Sequence, residues 1–124
     1  MTSIKRLLAS ATIAGLLVLS ACGGGGSSSG GGVTGADLVV KAREYSFDQQ
    51  QYSAKPGLLK IGYENDGKLS HSLVIQGVGG FKILIAPGHS KTASVNLPSG
   101  AYKLYCDVQG HESLGMHASL VVQS

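Results

Sequence analysis

The chain has 124 residues, of which 43% are hydrophobic and 14% are charged, and its formal net charge is +3 at pH 7. This length allows one domain. Lys5 and Arg6 lie near the N-terminus, and without them eight basic residues remain against seven acidic ones. Basic and acidic residues are then almost equal in number, and the chain has no Trp to stack on bases. We therefore expect no nucleic-acid partner.

Residues 1–21 have the features of an export signal. Lys5 and Arg6 precede an apolar run at residues 7–19, which is too short to span a membrane but is typical of a signal peptide. The run ends in Leu-Ser-Ala-Cys at residues 19–22, which resembles the lipobox of bacterial lipoproteins. This resemblance implies cleavage before Cys22 and a lipid on the Cys22 sulfur. The alternative is an ordinary secretory signal in which Cys22 has no role.

The next segment, residues 23–32, contains only Gly and Ser. Such a composition cannot build a core and behaves as a flexible linker, whose ten residues have an r.m.s. reach of roughly 15–20 Å. We assign residues 22–35 to the lipidated Cys and linker, and residues 36–124 to one folded domain. The expected location is therefore outside the cytoplasm, on the cell surface or the periplasmic side, with the domain anchored to a membrane through Cys22.

The folded segment reads as short strands separated by Gly, Pro, Asn and Asp turns, without a helical stripe. Alternation is clearest in residues 59–63, where apolar residues at 59, 61 and 63 would face the core. The predicted strands lie at residues 36–44, 45–47, 59–63, 71–76, 81–86, 91–97, 101–106 and 118–122. Seven or eight strands at this spacing predict an all-β fold, an antiparallel Greek-key β-sandwich.

A cluster of soft metal ligands precedes the last predicted strand. Cys106, His111 and Met116 follow one another at intervals of five residues and offer a thiolate, an imidazole and a thioether, which suit copper. On a helix five residues turn the chain by about 140°, so the three side chains would diverge. The ligands therefore require a loop, and Gly110 and Gly115 give the backbone freedom directly before two of them.

A copper of this kind takes a second imidazole, and strand alternation indicates where it lies. His71 shares one strand face with Leu73 and Ile75, while Cys106 shares one face with Leu104 and Tyr102. If these two strands are adjacent and antiparallel, the start of one meets the end of the other. His71 and Cys106 would then lie together at one pole of the sandwich.

These residues together resemble the cupredoxins, the small blue-copper proteins, and most closely their plastocyanin-like members. The matching segments are residues 64–67 with His71, residues 86–90, residues 97–106, and the pairs Gly110-His111 and Gly115-Met116. The resemblance implies one copper ion that cycles between Cu(I) and Cu(II), with His71, Cys106 and His111 as equatorial ligands and Met116 as the weak axial ligand. It also implies that Ser72 braces the ligand loop near the thiolate.

Other residues of interest receive plainer interpretations. Gln109 stands where many cupredoxins have Pro, so a less rigid loop is expected, with consequences for redox tuning rather than for ligation. His89 and His117 are expected to be solvent-exposed, the latter because it neighbours Met116 in an extended segment. The glycines at residues 77–80 are not followed by the residues of a phosphate-binding loop, so a nucleotide site is not expected.

The expected function is that of a membrane-anchored type 1 copper protein that carries one electron between redox partners. Four protein ligands leave no position for a substrate, and we expect no enzyme activity. The resemblance places the electron port at a surface edge of His111, flanked by Leu114 and Val78, where protein partners dock transiently on a monomer. Two alternatives are a copper-delivery lipoprotein of the same fold and a metal-free β-sandwich that serves as an interaction module.

Overall fold

The structure, a computed structural model, describes residues 33–124. The predicted signal peptide at residues 1–21, the lipidation at Cys22 and the Gly/Ser segment to residue 32 lie outside the described residues. Val33, from the segment assigned to the linker, is buried, and a Cβ at Gly62 would overlap its side chain. Among residues 33–124, no helix has the length and apolar character needed to cross a membrane.

Two sheets make up the described domain. The strands are β1 (Leu38–Arg43), β2 (Ser46–Phe47), β3 (Gln51–Ala54), β4 (Gly57–Asn65), β5 (His71–Ile75), β6 (Lys82–Ile85), β7 (Ser90–Leu97), β8 (Gly100–Tyr105) and β9 (His117–Val122). One sheet has the order β2-β1-β4-β7 and the other has the order β3-β9-β8-β5-β6. A single turn of 3-10 helix, Glu112–Leu114, lies between β8 and β9.

The predicted all-β sandwich is confirmed, but two details differ from the sequence-based expectation. Residues 33–124 contain nine strands rather than seven or eight, because Gln51–Ala54 forms a short strand that the sequence pattern did not reveal. The sheets are also mixed rather than antiparallel throughout, since β1 pairs with β4 and β3 pairs with β9 in parallel. Parallel pairing requires a long crossover, and residues 44–56 supply it between β1 and β4.

The core lies between the two sheets. Alternation in β4 puts Leu59, Ile61 and Tyr63 on the inner face, with 4%, 0% and 0% of their surface exposed. From the opposite sheet, β5, β8 and β9 contribute fully buried leucines. The core cluster also reaches the predicted ligands, because it includes Cys106 and Met116. The metal-ligand candidates are thus part of the packed interior rather than attached to its surface.

Strand pairing brings two of these candidates to one pole of the domain. β5 and β8 are adjacent and antiparallel, and Val74 pairs with Tyr105. His71 begins β5, and Cys106 follows the last residue of β8 directly. The expectation that this start and this end lie together is therefore confirmed by the register.

Two buried tyrosines lead to a prediction about alkaline pH. Burial, and for Tyr52 also a 2.6 Å hydrogen bond to the Asp48 carboxylate, raises the pKa of Tyr52 and Tyr63 above the ordinary value of 10.0. Above pH 10 the unfolded chain releases these protons while the folded chain retains them, so the free energy of unfolding falls as pH rises. Each group contributes up to about 1.4 kcal/mol per pH unit. Urea denaturation at pH 8, 10 and 11 measures this fall.

The variant Tyr52→Phe separates this titration from general alkaline unfolding. It cannot release a phenolic proton, so we expect a smaller loss of stability between pH 10 and pH 11 than in the unchanged protein. An identical loss in both proteins would contradict a raised pKa at Tyr52.

Candidate metal centre

Three predicted ligands converge at the pole where β5 begins and β8 ends. His71, Cys106 and His111 are all buried, and one donor atom from each lies within 4.8 Å of the other two. The Nδ1 atoms of the two imidazoles are 3.2 Å apart, and Cys106 Sγ lies 3.5 Å from His111 Nδ1. The sequence placed these three residues at one site, and the structure brings them together.

These spacings fit a single transition-metal ion. With metal–nitrogen and metal–sulfur bonds of about 2.0 and 2.3 Å at tetrahedral to trigonal angles, two nitrogens lie about 3.3–3.5 Å apart and a nitrogen and a sulfur about 3.5–3.7 Å apart. The observed separations of 3.2 and 3.5 Å are close to these values. Two imidazoles with one thiolate are also the donor set of trigonal copper sites. The geometry therefore fits one metal ion, and the ligand chemistry suits copper.

The segment from Cys106 to Met116, termed here the ligand loop, is held by its own backbone. Gly110 and Gly115 adopt φ values of 84° and 110°, in the left-handed region that favours glycine, directly before His111 and Met116. The Met116 amide donates to the His111 carbonyl at 3.2 Å, and the Cys106 amide donates to the Met116 carbonyl at 3.1 Å. The loop thereby closes on itself and brings its three predicted ligands together.

Met116 lies in the same closed loop. Its residue surface is fully buried, and its backbone bonds directly to both other predicted ligands of the loop. The axial role of its thioether stays a prediction. The lower rigidity expected at Gln109 also stays a prediction. On either side of it, the His111 amide donates to the Val108 carbonyl at 3.0 Å and the Ser113 hydroxyl donates to the Gly110 carbonyl at 2.8 Å.

The thiol of Cys106 lies in a polar frame built around Ser72. The Ser72 amide lies 3.3 Å from Cys106 Sγ, in a position to donate to the thiolate. The Ser72 hydroxyl lies 3.5 Å from the same sulfur but only 2.6 Å from the Asp107 carboxylate, to which it therefore donates its hydrogen bond. In return the Asp107 amide donates to the Ser72 oxygen at 2.8 Å. Ser72 thus fastens the start of the ligand loop to β5.

Lys82 on β6 completes this frame. Its Nζ lies 2.7 Å from the second carboxylate oxygen of Asp107. The Lys82 ammonium and the Ser72 hydroxyl hold the pKa of Asp107 below its ordinary value, so this carboxylate stays ionised at neutral pH. Three neighbouring strand ends, from β5, β6 and β8, are therefore connected beside the Cys106 sulfur.

On the opposite side of the site, His71 meets a residue that sequence reasoning did not identify. His71 Nε2 lies 3.4 Å from Glu44 Oε1, while Nδ1 faces His111. Amides of Leu69 and Lys68 donate to the Glu44 carboxylate and lower its pKa to about 2. Burial lowers the pKa of His71 and favours its neutral form. Because an ionised carboxylate only accepts, this contact favours the neutral tautomer that carries its proton on Nε2, in which the Nδ1 lone pair faces His111 Nδ1.

His111 also has an unpredicted neighbour. The Tyr45 ring packs edge-on against the His111 ring, with centroids 5.2 Å apart. Only 8% of His111 is exposed, while Tyr45 is 37% exposed and Leu114 is 61% exposed. The exposed part of His111 is small, because Tyr45 packs against the ring, and the role of this edge as an electron port stays a prediction. Two other histidines, His89 and His117, are exposed as expected and lie outside the donor group.

Solved structures share this architecture. A dithionite-reduced auracyanin from the photosynthetic bacterium Roseiflexus castenholzii aligns with a TM-score of 0.64 at 17% identity, over 70% of this chain and 96% of its own. Auracyanin B aligns with a TM-score of 0.63 at 17% identity, over 72% of this chain and 91% of its own. Auracyanin is a cupredoxin. The described domain has the cupredoxin fold.

An azurin from the obligate methylotroph Methylomonas sp. strain J extends the similarity of the cupredoxin domain. It aligns with a TM-score of 0.59 at 14% identity, over 69% of this chain and 96% of its own. By sequence, no family model and no curated protein matches the chain. The fold is therefore recognised from the path of the backbone, and the metal centre rests on the residues of this chain.

Proposed function

We propose that the cupredoxin domain holds one copper ion with His71, Cys106 and His111, with Met116 as the axial ligand, and carries one electron at a time. The observation that supports this most directly is the convergence of two imidazole nitrogens and one sulfur within 4.8 Å, all on buried residues. Copper supplies one-electron chemistry between Cu(I) and Cu(II) at such a donor set. The protein contributes the buried ligands that would hold the ion in both oxidation states.

The surrounding residues suit a centre that changes charge without changing shape. The Ser72 amide at 3.3 Å offers the Cys106 sulfur a hydrogen bond that stabilises its negative charge. The links from Ser72 and Lys82 to Asp107 hold the loop start in place. Dense packing around a fully buried thiol excludes water and resists displacement of the ligands. A rigid site requires little rearrangement when an electron arrives or leaves.

Partners are proposed to dock at the surface over His111. Tyr45 and Leu114 are both exposed there, Tyr45 packs against the His111 ring, and the Leu114 amide donates to the His111 carbonyl at 3.2 Å. A small apolar surface of this kind suits brief redox encounters rather than stable complexes. We also propose that a lipid on Cys22 anchors the protein to a membrane outside the cytoplasm and that the Gly/Ser linker lets the monomeric domain reorient there. The sequence pattern of residues 1–32 is the support for this anchor and linker.

The proposal is tested by adding one equivalent of Cu(II) to the purified protein and recording its visible spectrum. We expect an intense thiolate-to-copper absorption that ascorbate bleaches and an oxidant restores. Cys106→Ser is expected to lose this absorption, because the thiolate is its source. His117→Ala is the matched control, since His117 is exposed and outside the donor group, and it is expected to retain the colour.

A protein that stays colourless with Cu(II) would contradict the blue-copper assignment and favour a metal-free sandwich. A coloured protein that transfers its copper to an equimolar copper acceptor, and whose copper does not pass repeatedly between Cu(I) and Cu(II), would favour copper delivery instead.

A further inference from the structure

We propose that Glu44 is a positioning residue of the copper centre, which fixes the His71 ring through its Nε2–H and raises the electron-donating power of the ring. This inference rests on the proposed copper site and adds a residue outside its ligands. The carboxylate would thereby lower the reduction potential of the centre. Its support comes from contacts of the β1–β2 turn, formed by Glu44 and Tyr45.

One oxygen of Glu44 collects three donors. Glu44 Oε1 lies 2.5 Å from the Lys68 amide, 2.9 Å from the Leu69 amide and 3.4 Å from His71 Nε2. The two backbone amides belong to the segment that leads directly into β5, and they keep the carboxylate beside the imidazole. The His71 contact is the longest of the three and the one that reaches a proposed metal ligand. Glu44 therefore connects the turn, the β4–β5 segment and the metal site.

The β4–β5 segment is shaped to admit this carboxylate. A Cβ at Gly67 would overlap Glu44 Oε1, so any larger residue at position 67 would push the carboxylate away. Asn65 holds Gly67 in place, because its Oδ1 accepts the Gly67 amide at 2.9 Å. Gly67 thus leaves the space that the Glu44 carboxylate occupies beside the segment.

The β1–β2 turn itself faces both imidazoles. Tyr45 has a φ of 54°, a left-handed conformation that is uncommon for a residue with a side chain. Its ring packs against His111, while the preceding Glu44 contacts His71. Two adjacent residues therefore contact the two proposed histidine ligands, one by a hydrogen bond and one by ring packing. The left-handed backbone at Tyr45 therefore lies in a turn whose two side chains both contact the proposed metal site, where such strain is often found.

The chemistry of the contact predicts its effect. A carboxylate that accepts the far N–H of a metal-bound imidazole orients the ring, fixes its tautomer and raises its basicity. A more basic ligand, with a negative charge behind it, stabilises Cu(II) more than Cu(I). The partner of His71 is a charged side chain, and Gln at the same position can remove its charge while keeping an acceptor oxygen for the two backbone amides. This makes the contribution measurable by substitution.

The decisive experiment compares the reduction potentials of the copper-loaded protein and its Glu44→Gln variant. Gln keeps an oxygen that accepts the Lys68 and Leu69 amides, so the segment stays anchored, but it removes the negative charge. We expect the ratio of Cu(II) to Cu(I) affinity to fall about tenfold, which is a rise of about 59 mV for one electron. Glu64→Gln is the matched control, because Glu64 pairs with Lys41 and carries the same charge.

A rise in potential for Glu44→Gln that clearly exceeds the rise for Glu64→Gln supports the proposal. Equal shifts in the two variants would overturn it, because they would show only a general effect of lost charge. The second measurement uses the metal-free protein, in which long-range ¹H–¹⁵N correlation reports the tautomer of His71. We expect the Nε2–H form in the unchanged protein and a mixture in Glu44→Ala; an unchanged tautomer would overturn the positioning role.

The two measurements also separate this proposal from the proposed function. If the protein binds no copper, the visible spectrum fails while the tautomer measurement still reports on the Glu44–His71 contact. If copper binds but neither the reduction potential nor the His71 tautomer changes when Glu44 is substituted, the proposed copper site is supported and the role of Glu44 is rejected.

Discussion

Replacing Leu104 with Ala is expected to lower the free energy of unfolding by about 2–5 kcal/mol, because it removes a fully buried side chain and leaves a cavity. Leu104 lies on β8, paired with Ile75 of β5 on one side and Ala118 of β9 on the other. Its position in the middle of the sheet gives the surrounding structure little freedom to collapse. Urea denaturation of the metal-free protein, with the same slope for both proteins, measures the loss.

Leu58→Ala is the matched control for this cavity. Leu58 is 75% exposed on β4, so the same chemical change removes little buried surface there. We expect its effect to stay within about 0.5 kcal/mol. Comparable losses at both positions would show that packing between the two sheets is not the main source of stability. A selective loss at Leu104 would show that packing between the two sheets is a main source of stability.

The ligand set could be predicted because its signals are local or follow from strand parity. Cys106, His111 and Met116 lie within eleven residues of one another. His71 is distant in sequence, but its alternation with Leu73 and Ile75 places it on the inner face of its strand. Antiparallel pairing of β5 with β8 places it at the same pole of the sandwich as Cys106. Local spacing thus located three of the candidates, and strand alternation with an assumed antiparallel neighbour located His71.

The supports of the imidazoles could not be found in this way. Glu44 and Tyr45 lie between two strands, without a motif or an alternation that relates them to the ligands. Their position depends on the parallel pairing of β1 with β4, a non-local contact that sequence periodicity does not specify. The left-handed φ of Tyr45 is equally hidden, because Gly, Asn and Asp signal that conformation in a sequence and Tyr does not.

The strand count differed for a related reason. β3 is four residues long, and Tyr52 is its one fully buried side chain, so no apolar alternation develops. It is recruited to the edge of its sheet by parallel pairing with β9, from the far end of the chain. Short edge strands take their structure from a partner rather than from their own composition. The all-β class was therefore predictable, whereas the allocation of strands between sheets was not.

Asn65 provides the second large effect on stability. It ends β4 with 1% of its surface exposed, and its Nδ2 donates to the Leu69 carbonyl at 2.7 Å and to the Ile85 carbonyl at 3.3 Å. Its Oδ1 accepts the Gly67 amide. One buried amide thus joins the end of β6 to the segment that precedes His71. The position requires both the donors and the acceptor of an Asn side chain.

Asn65→Ala is expected to lower the free energy of unfolding by about 2–4 kcal/mol, because two carbonyls lose a donor in a largely buried region and each unsatisfied group costs about 1–3 kcal/mol. Asn65→Asp is expected to lose at least as much, since Asp keeps the acceptor but removes the donors and buries a charge. Asn96→Ala, at an exposed position on β7, is the control and should change stability by less than about 0.5 kcal/mol. Urea denaturation of the metal-free proteins gives all three values.

The same variant also tests whether stability and the metal site are coupled through the β4–β5 segment. Asn65 holds Gly67, Gly67 leaves room for the Glu44 carboxylate, and Glu44 contacts His71. Asn65→Ala should therefore weaken Cu(II) binding, whereas Leu104→Ala should lower stability with little effect on the affinity of the folded protein. Copper titrations under conditions where both variants remain folded distinguish these outcomes. Equal affinities in the two variants would show that the segment supports the fold without supporting the ligand.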